Sequence, residues 1–148
     1  MLPKFTTNGN LPEGIHIASW EEIEEKFGWN ERRRELLRGL SSALKILKKA
    51  GCKRVYLNGS FVTAKDEPGD FDACWEPDGI DFDKLYNLDP VLLDFSNKRA
   101  AQKAKHSGEI FPATADAIGD GTPFYVFFQM ARGGGYKGIV AIDLDDLP

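Results

Sequence analysis

Asp70 and Asp72 are separated by one residue at the start of a run, residues 71–75, that alternates like a β-strand. Alternation of this kind predicts a β-strand, and a strand places both carboxylates on the same face. Two close carboxylates repel each other, and a hard divalent cation relieves that repulsion. Mg²⁺ is usually held by one or two carboxylates together with substrate phosphates. Pairs of this spacing also occur in surface turns, but the apolar residues through Trp75 favour the strand.

A third acid, Asp94, interrupts an apolar run at residues 91–95, which we interpret as another strand. An isolated carboxylate among apolar residues is normally neutralised, paired or bound to a metal. If the two strands are neighbours, Asp94 joins Asp70 and Asp72 in one carboxylate site. The alternative is that Asp94 ends the strand or caps a helix.

A Gly-Ser pair, Gly59 and Ser60, directly follows a short apolar run at residues 55–57. Glycine lets the backbone approach a ligand closely, and backbone N–H groups at the start of a helical turn suit phosphate. The spacing is not that of a Walker loop. An ordinary turn after a strand is the competing interpretation.

Two helices are predicted ahead of these motifs, within residues 19–51. Ser19 and Glu22 form a capping box for the first helix, which should stop at Gly28. Asn30 is placed to cap a second helix over residues 31–50, and Gly51 fits its C-terminal cap. Residues 1–18 carry glycine and proline at irregular intervals and are predicted to be an irregular arm.

The remaining pattern predicts strands alternating with helices. We expect a helix over residues 98–105, a short strand or an extended segment at 109–111, and a last strand over 137–144. A helix over 124–131, capped by Thr122, is expected between them, with a strand as the alternative because of its aromatic content. The predicted fold class is therefore α+β, a single domain over residues 1–148 with a mixed sheet packed against helices. Its parts are the arm at 1–18, the helices at 19–51, a motif core at 55–111, and a helix and strand at 122–148.

Composition and charge exclude several classes of protein. The chain has 148 residues with a formal net charge of −4, which excludes a uniformly basic nucleic-acid footprint. Two cysteines are too few for a disulfide scaffold or a tetrahedral zinc site. No apolar run is long enough to span a membrane, and residues 1–16 do not resemble a secretory signal. We therefore expect a cytoplasmic protein without a membrane partner.

Charge is distributed unevenly. Residues 31–54 contain nine Lys or Arg against two Glu, whereas residues 66–94 contain ten Asp or Glu against one Lys. The basic run is most simply the solvent face of the second helix. A second basic cluster follows Asp94 and either binds an acidic acceptor or is only solvated, and His106 within it is expected on the surface. The aromatic residues at 124–128 are expected in the core rather than as a base-stacking platform.

Taken together and in order, the motifs resemble the minimal nucleotidyltransferases of the DNA polymerase β-like superfamily. That pattern is an apolar strand, Gly-Ser, a spacer, Asp-x-Asp on the next strand, and a third acid on another strand. The matching residues are 55–57, Gly59, Ser60, Asp70, Asp72 and Asp94. The run at 103–111 is similar to the segment that follows the third acid. Residues 11–144 more closely resemble a small uncharacterised prokaryotic and phage family within that superfamily.

The resemblance implies roles for these residues. Gly59 and Ser60 would contact the phosphates of a nucleoside triphosphate. Asp70, Asp72 and Asp94 would hold Mg²⁺ or Mn²⁺ and help to activate an acceptor hydroxyl, as in two-metal phosphoryl chemistry.

Small members of the superfamily often carry a basic residue and a glycine soon after Gly-Ser, where this chain has residues 61–65. Thr63 offers a phosphate hydrogen bond there, and Lys65 offers a positive charge. Lys65 is equally explained as a solvated loop residue.

The predicted function is metal-dependent transfer of a nucleoside monophosphate from a nucleoside triphosphate to a hydroxyl. The acceptor would be a protein, an RNA end or a small molecule, and a toxin–antitoxin setting is plausible by family analogy. The alternative is an inactive binding module, or an antitoxin-like partner protein, that keeps the same fold.

Overall fold

Five strands form one mixed sheet in the computed structural model, which describes residues 1–148. The strands are β1 (Gly14–Ile17), β2 (Arg54–Asn58), β3 (Phe71–Trp75), β4 (Gly108–Pro112) and β5 (Gly138–Asp143). The order across the sheet is β1-β5-β2-β3-β4. Strand β2 is antiparallel to both of its neighbours, β3 and β5, while the outer pairs β1–β5 and β3–β4 are parallel.

Five α-helices accompany the sheet, and none is long and apolar enough to cross a membrane. Ser19 and Glu22 form the predicted capping box, and Asn30 caps the second helix through the N–H of Arg33. Gly51 follows that helix with a φ of +99°, a conformation that glycine adopts without strain. The helices are α1 (Trp20–Phe27), α2 (Glu31–Lys49), α3 (Phe82–Leu88), α4 (Ser96–His106) and α5 (Phe124–Phe127).

The two faces of the sheet bury different cores. Phe71, Ala73 and Trp75 of β3 belong to a large core shared with α1, α2 and α3. Cys74 points to the opposite face and belongs to a smaller core with Phe128. Period-two alternation therefore puts Asp72 on the second face of the sheet, away from those three helices. The α+β class predicted from the sequence is confirmed.

Several predicted elements differ from the structure. The arm at 1–18 contains β1, which pairs with β5 far along the chain. The apolar run at 91–95 is not a strand, because Asp89 caps a short 3₁₀ helix (Pro90–Leu93) through the N–H of Val91. The last predicted helix is only four residues long and begins after Pro123, so Thr122 is not its cap.

His106 is buried rather than exposed, which corrects the surface prediction. Its Nε2 lies 2.7 Å from Oδ2 of Asp89, and its Nδ1 lies 2.8 Å from Oγ of Ser42. Lys105 also pairs with Asp89 at 3.0 Å. Asp89 is only 1% exposed, so these bonds form a buried polar network that connects α2, the turn before Pro90 and α4.

Asp89→Asn is expected to lower the free energy of unfolding by about 3 kcal/mol at neutral pH, because it leaves a buried pair half broken. Burial alone would raise the pKa of Asp89, but hydrogen bonds from His106 and Lys105 hold that pKa below its ordinary value. A lowered pKa stabilises the fold above the ordinary carboxyl range, and that contribution is lost as the pH falls through the lowered value.

Urea unfolding of the wild type and of Asp89→Asn at several pH values measures this effect. The gap between the two proteins should narrow in acid. Asp83→Asn, a change at an exposed position on α3, is the matched control. A constant gap, or no gap, would contradict the stabilising role of Asp89.

Candidate functional site

Three carboxylates meet on the second face of the sheet. One oxygen each from Asp70, Asp72 and Glu109 lies within 4.8 Å of the other two. Parallel pairing of β3 with β4 sets Asp72 directly opposite Glu109, so both side chains leave the sheet on the same face. Asp70 stands two residues before Asp72 and shares that face. The predicted pairing of Asp70 with Asp72 is therefore present, with a glutamate as the third acid.

Asp94 does not belong to this cluster, which corrects the sequence prediction. Its Oδ1 accepts hydrogen bonds from the N–H of Ser96 at 3.0 Å and from the Ser96 hydroxyl at 2.6 Å. These bonds lower the pKa of Asp94 and hold the turn between the 3₁₀ helix and α4. Asp94 does not cap α4, because Phe95 precedes that helix and no side chain caps it. Asp94 instead ends the 3₁₀ helix, so neither the role of third acid nor the helix-capping alternative is observed.

Glu109 could have been found from its own sequence context. It sits between Gly108 and Ile110 as a single acid in an apolar context, the same pattern that Asp94 shows. The run at 103–111, which is similar to the segment after the third acid, here contains the acid that joins Asp70 and Asp72.

The loop of Gly59 and Ser60 lies against Asp72. Gly59 has a φ of +81°, and a Cβ built on it would lie 2.5 Å from Oδ2 of Asp72. Only glycine fits this position, so the backbone of the loop approaches the carboxylates closely. Ser60 then opens a 3₁₀ helix, Ser60–Val62.

Arg33 fixes the shape of this loop. Its guanidinium donates to the carbonyl oxygens of Phe61 at 2.6 Å, Thr63 at 2.7 Å and Lys65 at 2.6 Å. The group is fully buried and lies 3.6 Å from the ring centroid of Trp29. Burial lowers the pKa of Arg33 to about 10, so it stays cationic at neutral pH. The prediction that the basic run of α2 is a solvent face is therefore wrong for this residue.

A cleft of about 480 Å³ opens beside the carboxylates. Three cationic side chains line it, Lys65, Arg132 and Lys137, of which only Lys65 was predicted. Lys65 forms no ion pair within the chain. Asn58, Gly59, Ser60, Thr63, Asp70, Asp72, Phe127 and Met130 complete the lining.

Thr63 takes a different role from the one expected. Its hydroxyl donates to the carbonyl of Ser60 at 2.7 Å and accepts from the N–H of Lys65 at 3.2 Å. The hydroxyl proton is thus used to hold the loop, although the side chain does line the cleft.

This chain belongs to a family of unknown function, DUF6932. The match covers residues 3–143 and so includes all five strands and the whole carboxylate cluster. No curated protein and no solved structure matches the chain. Its activity must therefore be argued from the site itself.

The three carboxylates of this DUF6932 protein differ in their pKa values, which are raised for Asp70 and Asp72 and lowered for Glu109. Burial, followed by the charges of Asp70 and Glu109, raises the pKa of Asp72 to about 7. Burial and then the charge of Glu109 raise the pKa of Asp70. Burial also lowers the pKa of Lys137, while the nearby Asp72 opposes that shift. Asp70 and Asp72 are thus crowded carboxylates that a bound cation would stabilise.

Glu109 forms ion pairs with two basic side chains of α4. Arg99 lies 3.2 Å and Lys103 lies 3.0 Å from its Oε1. Burial would raise the pKa of Glu109, but the hydrogen bonds from Lys103 and Arg99 lower it. The basic cluster after Asp94 is thus largely engaged in ion pairs, two of its members with Glu109 and two with Asp89.

The donor set fits a hard divalent cation. Three carboxylates supply the oxygen ligands that Mg²⁺ and Mn²⁺ prefer. Burial and crowding raise the pKa values of two of these acids, and a bound cation would relieve the repulsion among them.

Proposed function

We propose that this protein transfers a nucleoside monophosphate from a nucleoside triphosphate to a hydroxyl group, with Mg²⁺ or Mn²⁺ as cofactor. The observation that carries the proposal is the meeting of Asp70, Asp72 and Glu109 against the Gly59–Ser60 loop. The resemblance to minimal nucleotidyltransferases supports it, with Glu109 in the role first assigned to Asp94.

Each part of the site has a task in this reaction. Asp70, Asp72 and Glu109 would hold the divalent cation, which would supply charge stabilisation for the attacking and leaving oxygens. The backbone of Gly59 and Ser60 faces the phosphates, and the cations of the cleft balance their charge. Arg33 keeps the loop in the shape that this contact requires.

The chemistry is an in-line displacement. The acceptor oxygen forms a bond to the α-phosphorus, and the bond from that phosphorus to the bridging oxygen of pyrophosphate breaks. Pyrophosphate leaves with the bonding electrons, and a carboxylate of the cluster takes the hydroxyl proton. A protein, an RNA end or a small molecule remains the acceptor class, and we place the reaction in the cytoplasm. Two buried, unpaired cysteines support that setting.

One observation favours a second function, a catalytically inactive module or an antitoxin-like partner protein that still binds nucleotide. Arg99 and Lys103 already neutralise Glu109 without any metal ion. A cluster balanced in this way can persist as a structural ion-pair network. The two functions differ in whether the nucleoside monophosphate is transferred to an acceptor.

The test is incubation with each nucleoside triphosphate labelled at the α-phosphate, together with Mg²⁺ or Mn²⁺ and cell lysate. We expect label on a protein, RNA or small molecule, and we expect Asp70→Asn/Asp72→Asn to abolish it. The double variant Asp78→Asn/Asp83→Asn removes two exposed acids and should leave labelling intact. Nucleotide binding without any transfer would instead support the inactive module.

A further inference from the structure

A second pocket of about 270 Å³ adjoins the carboxylates. It shares Asn58, Asp72 and Phe127 with the larger cleft, and it adds Glu109, which the larger cleft lacks. None of the three lysine and arginine residues of the larger cleft reaches it. The carboxylate cluster thus lies between two spaces. We call the larger cleft, with its three cationic side chains, the basic compartment, and the smaller pocket the side pocket.

Four of the nine residues that line the side pocket are phenylalanines. Phe111 and Phe124 stack with centroids 4.1 Å apart and planes at 10°, and Phe128 meets Phe124 edge-on at 6.1 Å. Phe127 stands between the two compartments and is 37% exposed. The expectation that these aromatic residues belong to the core therefore holds for Phe128 and not for Phe127.

Two polar atoms of the side pocket have no partner. Oδ1 of Asn58 and Nε of Arg99 are both buried, and neither makes a hydrogen bond within the chain. Both residues line the side pocket, and Asn58 is 93% buried as a whole. One atom is an acceptor and the other a donor, so a ligand that carries both kinds of group would satisfy them.

We propose that the side pocket binds a planar aromatic ring with a polar edge and holds it next to Asp72 and Glu109. Ring stacking on Phe111, Phe124 or Phe127 provides the affinity, and Asn58 and Arg99 read the polar edge. The inference rests on the proposed function, because that function supplies two such rings. One is the base of the nucleoside triphosphate, and the other is an aromatic alcohol acting as acceptor.

Ala117 gives a way to fill the pocket without touching a carboxylate or a cation. It lines the side pocket and not the larger cleft. Ala117→Leu therefore blocks the ring and spares the basic compartment. Ala104→Leu makes the same change at an exposed position on α4 and is the matched control. Thermal unfolding verifies that both variants remain folded.

Calorimetry in Mg²⁺ measures the binding of tripolyphosphate, of the four nucleoside triphosphates, and of N-acetyltyrosinamide added to the tripolyphosphate complex. We expect one of the ring-bearing probes to lose about tenfold or more in affinity in Ala117→Leu. Tripolyphosphate should bind both variants within twofold of the wild type. Loss for a nucleoside triphosphate identifies the ring as the base, and loss for N-acetyltyrosinamide identifies it as the acceptor.

Binding of tripolyphosphate with no ring-bearing probe sensitive to Ala117→Leu would overturn the side-pocket inference and leave the proposed function standing. Failure of the wild type to bind tripolyphosphate in Mg²⁺ would overturn the proposed function, and this inference with it. An equal loss in Ala104→Leu would also count against the side pocket.

Discussion

Glu109→Gln is expected to lower the rate of nucleotidyl transfer by about 100-fold or more, whereas Asp94→Asn should change it less than threefold. The glutamate is one of three carboxylates within 4.8 Å of each other, and its amide would weaken the hold on a divalent cation. Asp94 only accepts hydrogen bonds from Ser96 in the turn before α4, and the amide oxygen of an asparagine would accept them as well.

Steady-state transfer rates for the two variants measure this difference. Glu109→Gln also releases Arg99 and Lys103, so the unfolding midpoint must be compared as well. A Glu109→Gln variant that stays folded and keeps its full rate would contradict the assignment. So would an Asp94→Asn variant that loses the same amount.

Arg33→Met should reduce the free energy of unfolding by about 3 to 5 kcal/mol, since it leaves several buried carbonyl oxygens without a hydrogen-bond donor. Methionine keeps an unbranched apolar chain but has no donors, so the carbonyls of Phe61, Thr63 and Lys65 lose their partner. We also expect the loop to loosen and nucleotide binding to weaken by about tenfold or more.

Arg34→Met is the matched control. Arg34 is the next residue on α2, its side chain is 49% exposed, and its ion pair with Glu31 is 3.5 Å long. Surface pairs of this kind contribute about 0 to 1 kcal/mol. Urea unfolding and nucleotide titration of both variants measure the contrast. Equal effects from Arg33→Met and Arg34→Met would show that the buried guanidinium does not organise the loop.

Local patterns predicted much of the fold. The alternation over residues 71–75 predicted β3 with its observed bounds, and the capping signals at Ser19 and Asn30 predicted where α1 and α2 begin. These signals are local, because a cap or an alternating strand is fixed by residues a few positions apart. The Asp70–Asp72 pair was predicted for the same reason.

Long-range contacts account for what local patterns missed. The strand β1 exists through its pairing with residues 138–141, and Arg33 is buried because its partners lie some 30 positions away. Neither contact leaves a mark in the neighbouring sequence. The prediction that Asp94 lies on a strand was wrong because a short apolar run fits a strand and a 3₁₀ helix equally well. Asp89 caps the 3₁₀ helix and Pro90 is its first residue, and both favour the helix. Glu109 joins the site through strand register, which is a tertiary property.

Loss of the free-ion electron paramagnetic resonance signal of Mn²⁺, measured in the presence of a nucleoside triphosphate, shows whether Asp70, Asp72 and Glu109 bind a metal ion. We expect the wild type to take up Mn²⁺ beyond what the nucleotide alone binds. Asp70→Asn/Asp72→Asn should lose that uptake, and Asp78→Asn/Asp83→Asn should retain it. Equal uptake by the wild type and Asp70→Asn/Asp72→Asn, or none by either, would contradict the assignment of these carboxylates as a metal centre.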